Sequence, residues 1–182
     1  MSSLSLAFLT PLLLVIGTAF VGCPPVIMNE KLHGILPVTN QRVSYSETVD
    51  CGSTSQQDLF RRARLWLAQS GHLLNEPGSL SDKETGDLAG RCVQPITLAR
   101  SESSPGGIYT FRYSYVIECV NRKYRATLSQ VEVDEGGGRF SPVETYCQKN
   151  EKDLQSIYLE LDKHFKGTLA SLQESVKNYK SF

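Results

Sequence analysis

No charged side chain occurs in the first 22 residues, and the chain as a whole carries no excess of either sign, with 19 Lys+Arg against 19 Asp+Glu over 182 residues. That neutrality excludes the bulk positive field by which non-specific nucleic-acid binders hold phosphates. Histidine is scarce, and His33, His72 and His164 fall in three separate stretches. There is no G-x-S-x-G, no H-E-x-x-H, no phosphate loop ending in Lys-Ser/Thr and no EF-hand spacing. The local signatures of serine hydrolases, zinc proteases, nucleotide binders and calcium sensors are therefore missing. What remains, 40% hydrophobic and 21% charged residues, is the composition of an ordered globular domain.

The uncharged stretch is itself informative. Leu4 to Gly22 is an apolar run ending in small residues, followed by Cys23-Pro24-Pro25, the pattern of an export signal. Val21-Gly22-Cys23 resembles a bacterial lipobox, which implies a diacylglycerol on the thiol of Cys23 after cleavage. Phe20 in place of the usual Leu, and the absence of a basic residue before the run, depart from that pattern. An uncleaved membrane anchor and plain secretion are the alternatives; Pro11 and the small residues favour cleavage. The expected organisation is a lipoprotein-type signal over 1–22, a Pro/Gly-bearing tether over 23–37, and one domain over 38–182. The body is expected outside the cytoplasm, on the periplasmic or surface side of the cell envelope, held to the membrane through the lipid on Cys23.

With Cys23 lipidated, Cys51, Cys92, Cys119 and Cys147 remain, an even set that fits up to two disulfides in an exported chain or, equally, buried free thiols. No C-x-x-C pair occurs, so zinc has the weakest claim.

Along the body, Val43, Tyr45, Val49 and Cys51 alternate with polar residues as in a half-buried strand, with Glu47 breaking the apolar face. Ser53-x-x-Gln56 has capping-box spacing, and Leu59, Phe60, Ala63, Trp66 and Leu67 then mark one face of a helix over about 54–69 that Gly71 stops. Arg61, Arg62 and Arg64 on its other face read as solvated rather than as an anion site. Leu88, Gly90 and Cys92 share a strand face, Gly90 marking a bulge or close approach, and Pro95 is expected to end that strand. Tyr109, Phe111, Tyr113, Tyr115, Ile117 and Cys119 form the clearest strand face. Asn121-Arg122-Lys123 turns the chain into a return strand, where Leu128 and Val131 differ in parity and require a bulge near Ser129. From 151 to 180 apolar residues recur every three or four positions, giving one long helix or two, with Gly167 the natural place for a kink or break. At about 45 Å such a helix would overhang a sheet of ten-residue strands.

Several local runs resemble a family of exported bacterial proteins described as a domain of unknown function with a TBP-like fold. They are Val43-Ser44-Tyr45-Ser46-Glu47-Thr48-Val49, the helix segments Leu59-Phe60-Arg61-Arg62-Ala63 and Trp66-Leu67, the run Asp82-Lys83-Glu84-Thr85-Gly86 with Gly90, and Glu118-Cys119-Val120-Asn121-Arg122-Lys123-Tyr124-Arg125. The resemblance spans about Val38 to Val133. It implies an α+β fold, a curved antiparallel sheet of about five strands in the order β-α-β-β-β-β-α with two helices packed on one face, and it brings no catalytic residues.

The fold label does not carry DNA binding with it. Bending DNA in that manner needs two repeats, aromatic wedges and excess positive charge. Arg112, Arg122, Lys123 and Arg125, interleaved with Tyr113 and Tyr124, therefore read as the wet face and tip of a hairpin. Asp82, Glu84 and Asp87 lack the alternation of a calcium loop and read as solvated. A Cys147–His164 dyad is conceivable only if folding assembles it. The expectation is a non-enzymatic envelope module binding a protein or peptide partner, with no cofactor, metal or nucleic acid. The alternative is a small hydrolase whose site has no sequence signature.

Overall fold

The computed structural model describes residues 32, 34–71, 78–100, 105–146 and 151–179. The signal segment, Cys23, His33, His72 and Cys147 lie outside them.

Among the described residues there are seven antiparallel strands and two helices: β1 (Val38–Thr39), β2 (Arg42–Asp50), α1 (Gln56–Gln69), β3 (Leu80–Asp82), β4 (Asp87–Leu98), β5 (Gly107–Val120), β6 (Lys123–Asp134), β7 (Phe140–Pro142) and α2 (Glu151–Lys177). The sheet runs β1-β2-β6-β5-β4-β3, and β7 extends β6 where β2 leaves off. The two-residue β1 and the three-residue β3 and β7 raise the count above the expected five, and all three are too short to show a period.

Alternation along β2, β5 and β6 sends Val43, Tyr45, Phe111, Tyr113, Tyr115, Ile117, Tyr124, Ala126 and Leu128 to one face, where both helices bury them. From α1 come Leu59, Phe60, Ala63, Trp66 and Leu67; from α2 come Ile157, Tyr158, Leu161, Phe165, Leu172 and Val176. The β6 bulge falls where the parity break demanded it. The β5–β6 register shifts between Arg112 and Ser114, and Gln130 takes φ 54°. Val131 and Val133 thereby rejoin the core face.

Four expectations are corrected. Pro95 does not end its strand: β4 continues to Leu98. The carbonyl of Gly86 accepts from the Cys119 amide, so even-numbered residues of β4 aim their backbone groups at β5 and odd-numbered ones aim outward. Pro95 thus lacks only a donor that would face the open edge. The cap of α1 is Ser55, whose side chain accepts from the Asp58 amide, while Gln56 reaches sideways to the Thr85 carbonyl at 2.7 Å. The second helix runs unbroken through Gly167 for 27 residues, about 40 Å, and does not overhang because β5 has 14 residues, about 46 Å. Finally, Leu32 and Leu36, assigned to the tether, are buried in the core, so the packed body begins before Val38.

Side-chain hydrogen bonds help hold the helices in place. Tyr45 donates from its hydroxyl to Asp162 at 2.8 Å, and Asp162 also accepts from Lys166 at 2.7 Å. At the C-terminal end of α2, Arg62 donates to the Val176 carbonyl at 2.8 Å, covering one of the last carbonyls of the helix. Arg61 and Arg62 each lie 5.2 Å from the Tyr179 ring. Two of the three arginines on α1 therefore have structural partners.

Candidate functional site

Two surfaces are left by this packing. The first is the sheet face away from the helices. It presents Ser46 and Thr127, hydroxyls 3.2 Å apart, and Ser114, whose hydroxyl donates to Gln130. Two of its arginines are neutralised in place. Arg125 makes two 2.7 Å bonds to Glu118, and Arg112 pairs with Glu132 at 2.8 Å while stacking over Phe140. The Arg125 hydrogen bonds hold the Glu118 carboxyl below its usual range. At one corner the register sets Pro95 opposite Thr110 and Thr97 opposite Ile108, leaving Val93 54% and Ile108 72% exposed as an apolar patch.

The edges of this sheet are guarded. On β4 the outward position of Pro95 has no donor, and Gln94 covers the Pro95 carbonyl at 2.9 Å. On β2, Glu47 points to the helix side among apolar neighbours, the inward charge that discourages strand addition.

The second surface is a groove of about 480 Å³ on the helix side, between the end of α1, the middle of α2 and Gln94 of β4. Trp66 donates from its indole to Ser171 at 3.1 Å, and Ser70 to the Trp66 carbonyl at 2.7 Å. His164 stands edge-on to Tyr113 with ring centroids 6.2 Å apart, its Nε2 inaccessible and without a partner, and burial lowers its pKa. The Tyr113 hydroxyl is in hydrogen-bonding reach of Cys92 and Thr168, and burial first, then the Cys92 sulfur, raises its pKa. Folding thus sets Cys92 and His164 against the same Tyr113 side chain, while Cys147 lies outside the described residues. Strand pairing foreshadowed half of that, since Cys92 lies opposite Tyr113; the seating of α2 supplied the rest.

Cys51, Cys92 and Cys119 carry thiols rather than disulfides, and burial raises the pKa of Cys51 and takes that of Cys119 to about 12. The Asp82 carboxylate closes its own turn by accepting from the amides of Glu84 and Thr85. Among the described residues no three His, Cys, Asp or Glu side chains gather as a metal site.

Residues 45–134 match the family described as a domain of unknown function (DUF4468) with TBP-like fold. Among solved structures, a TBP-like protein from Parabacteroides distasonis superposes with a TM-score of 0.62 at 18% identity, covering 80% of this chain and 99% of that one. A DUF4468 family protein from Bacteroides ovatus gives 0.60 at 15% identity, covering 81% and 95%. At such identities the likeness is one of fold. No curated protein matches the chain in sequence.

Proposed function

We propose, for a chain that belongs to this bacterial family of unknown function with a TBP-like fold, a non-enzymatic binding module of the cell envelope, held to the membrane by a lipid on Cys23. It engages a protein or peptide partner through the open sheet face. The observation that carries this reading is the exposed corner of Val93 and Ile108 on a face where Arg112 and Arg125 are each paired with a glutamate. An exposed apolar spot bordered by polar and paired charged groups suits a protein interface better than a phosphate-binding surface. The guarded edges leave the face, not strand addition, as the means of contact.

The test is crosslinking in native envelopes from a photoreactive residue at position 108. One dominant adduct is expected, lost in Val93→Asp. No adduct, or an adduct indifferent to Val93→Asp, overturns the reading. Two further measurements bear on its other parts. Labelled palmitate should enter the native chain and not Cys23→Ser. Turnover in a broad hydrolase screen that disappears in His164→Ala would replace the module with an enzyme.

A further inference from the structure

The groove on the helix side is built from one stripe of α2: Glu160, Lys163, His164, Gly167, Thr168 and Ser171. These positions advance by three, one, three, one and three, so they share a flank of the helix beside the apolar stripe that meets the sheet. All are polar or small, and the groove they line is shallow and open to solvent.

Gly167 is the informative member. It lies in the helix interior with no positive φ, and a Cβ built there meets nothing within 4 Å. Neither backbone nor packing requires glycine at this point, although it is the poorest helix former after proline. What it leaves is room in the groove. The lining charges cancel: Lys163 and Glu160 stand 3.8 Å apart at the rim, and the side chain of Lys163 is 80% exposed. Gln94 has its amide nitrogen committed to the Pro95 carbonyl, so its oxygen remains as an acceptor.

We propose that this groove binds a small zwitterion, a free amino acid or dipeptide, whose carboxylate meets Lys163 and whose ammonium meets Glu160 in place of their pairing with each other. A volume of 480 Å³ lies in the range of small-ligand sites and admits a dipeptide. A ligand of one sign would leave one rim charge opposed, which disfavours anions and cations alike. The site is on the opposite side of the sheet from the recognition face, so either can fail without the other.

Trp66 is the single tryptophan of the chain and is bonded to Ser171 within the groove, which makes its emission a direct reporter. The full chain is titrated with alanyl-alanine, its N-acetylated form and its C-terminal amide. A saturable change with the free dipeptide is expected, weakened at least about tenfold by either blocked end and by Lys163→Gln or Glu160→Gln. Gly167→Leu fills the groove and should abolish the change while raising the melting temperature, so lost binding cannot be put down to lost folding; Gly167→Ala should do so in part. No saturation at tens of millimolar (roughly the weak limit of specific binding), equal binding of blocked peptides, or full binding by Gly167→Leu overturns the proposal.

Discussion

His164 shows how one buried side chain couples the fold to pH. Burial lowers its pKa below the ordinary 6.5, so the unfolded chain binds a proton that the folded chain refuses. Stability is complete above that value and falls as pH drops through it toward the folded pKa. Urea denaturation between about pH 7.5 and about pH 5.5 should show that loss, and His164→Phe should flatten it. Gly90 has the opposite character, since its constraint is space. A Cβ there would stand 2.5 Å from the Tyr115 hydroxyl oxygen and 2.7 Å from its Cζ, and Tyr115 is itself buried. Gly90→Ala should cost about 1–3 kcal/mol, read as a lower denaturation midpoint at unchanged slope. The sequence marked Gly90 as a bulge or a close approach; the pairing of β4 and β5 decides for close approach, because only there does the Tyr115 ring cross its neighbour strand.

At the scale of elements, the outward position of Pro95 keeps β4 from recruiting a further strand. Pro95→Val supplies a donor to the open edge without disturbing any bond to β5. The expected result is concentration-dependent association in sedimentation, with melting little changed. The start of α1 depends on residues far away in the chain. Asn121, at the β5–β6 turn, accepts from the Gln56 amide at 3.0 Å, and Arg122, with φ 74°, donates to Gly52 and accepts from Cys51. Asn121→Ala should cost about 1 kcal/mol by uncovering one orphan amide of the helix, measurable by thermal melting. Elements with a strong period were legible in advance: β2, α1, β5, the first half of β6 and α2. The Ser55 cap was not, because Ser53 and Ser55 are both competent and the choice falls to whichever geometry lets Gln56 reach Thr85.

For the whole molecule, part of the overall neutrality is realised locally. Arg112 and Arg125, the cations most likely to be mistaken for phosphate contacts on this fold, are each bonded to a glutamate. The native chain should pass through immobilised DNA at low salt without retention. Glu118→Gln with Glu132→Gln should introduce a weak retention that vanishes as salt is raised. Sequence by itself determined the order of most elements, the face each long strand and helix buries, the need for a bulge in β6 and the absence of excess charge. Those follow from side-chain period and formal charge, which are properties of neighbours along the chain. Tertiary structure decided the three short strands, the passage of β4 through Pro95, the continuity of α2 and the groove that Gly167 opens. Each depends on what lies across from a residue rather than beside it, and that is fixed only when the sheet has its register and the helices are seated upon it.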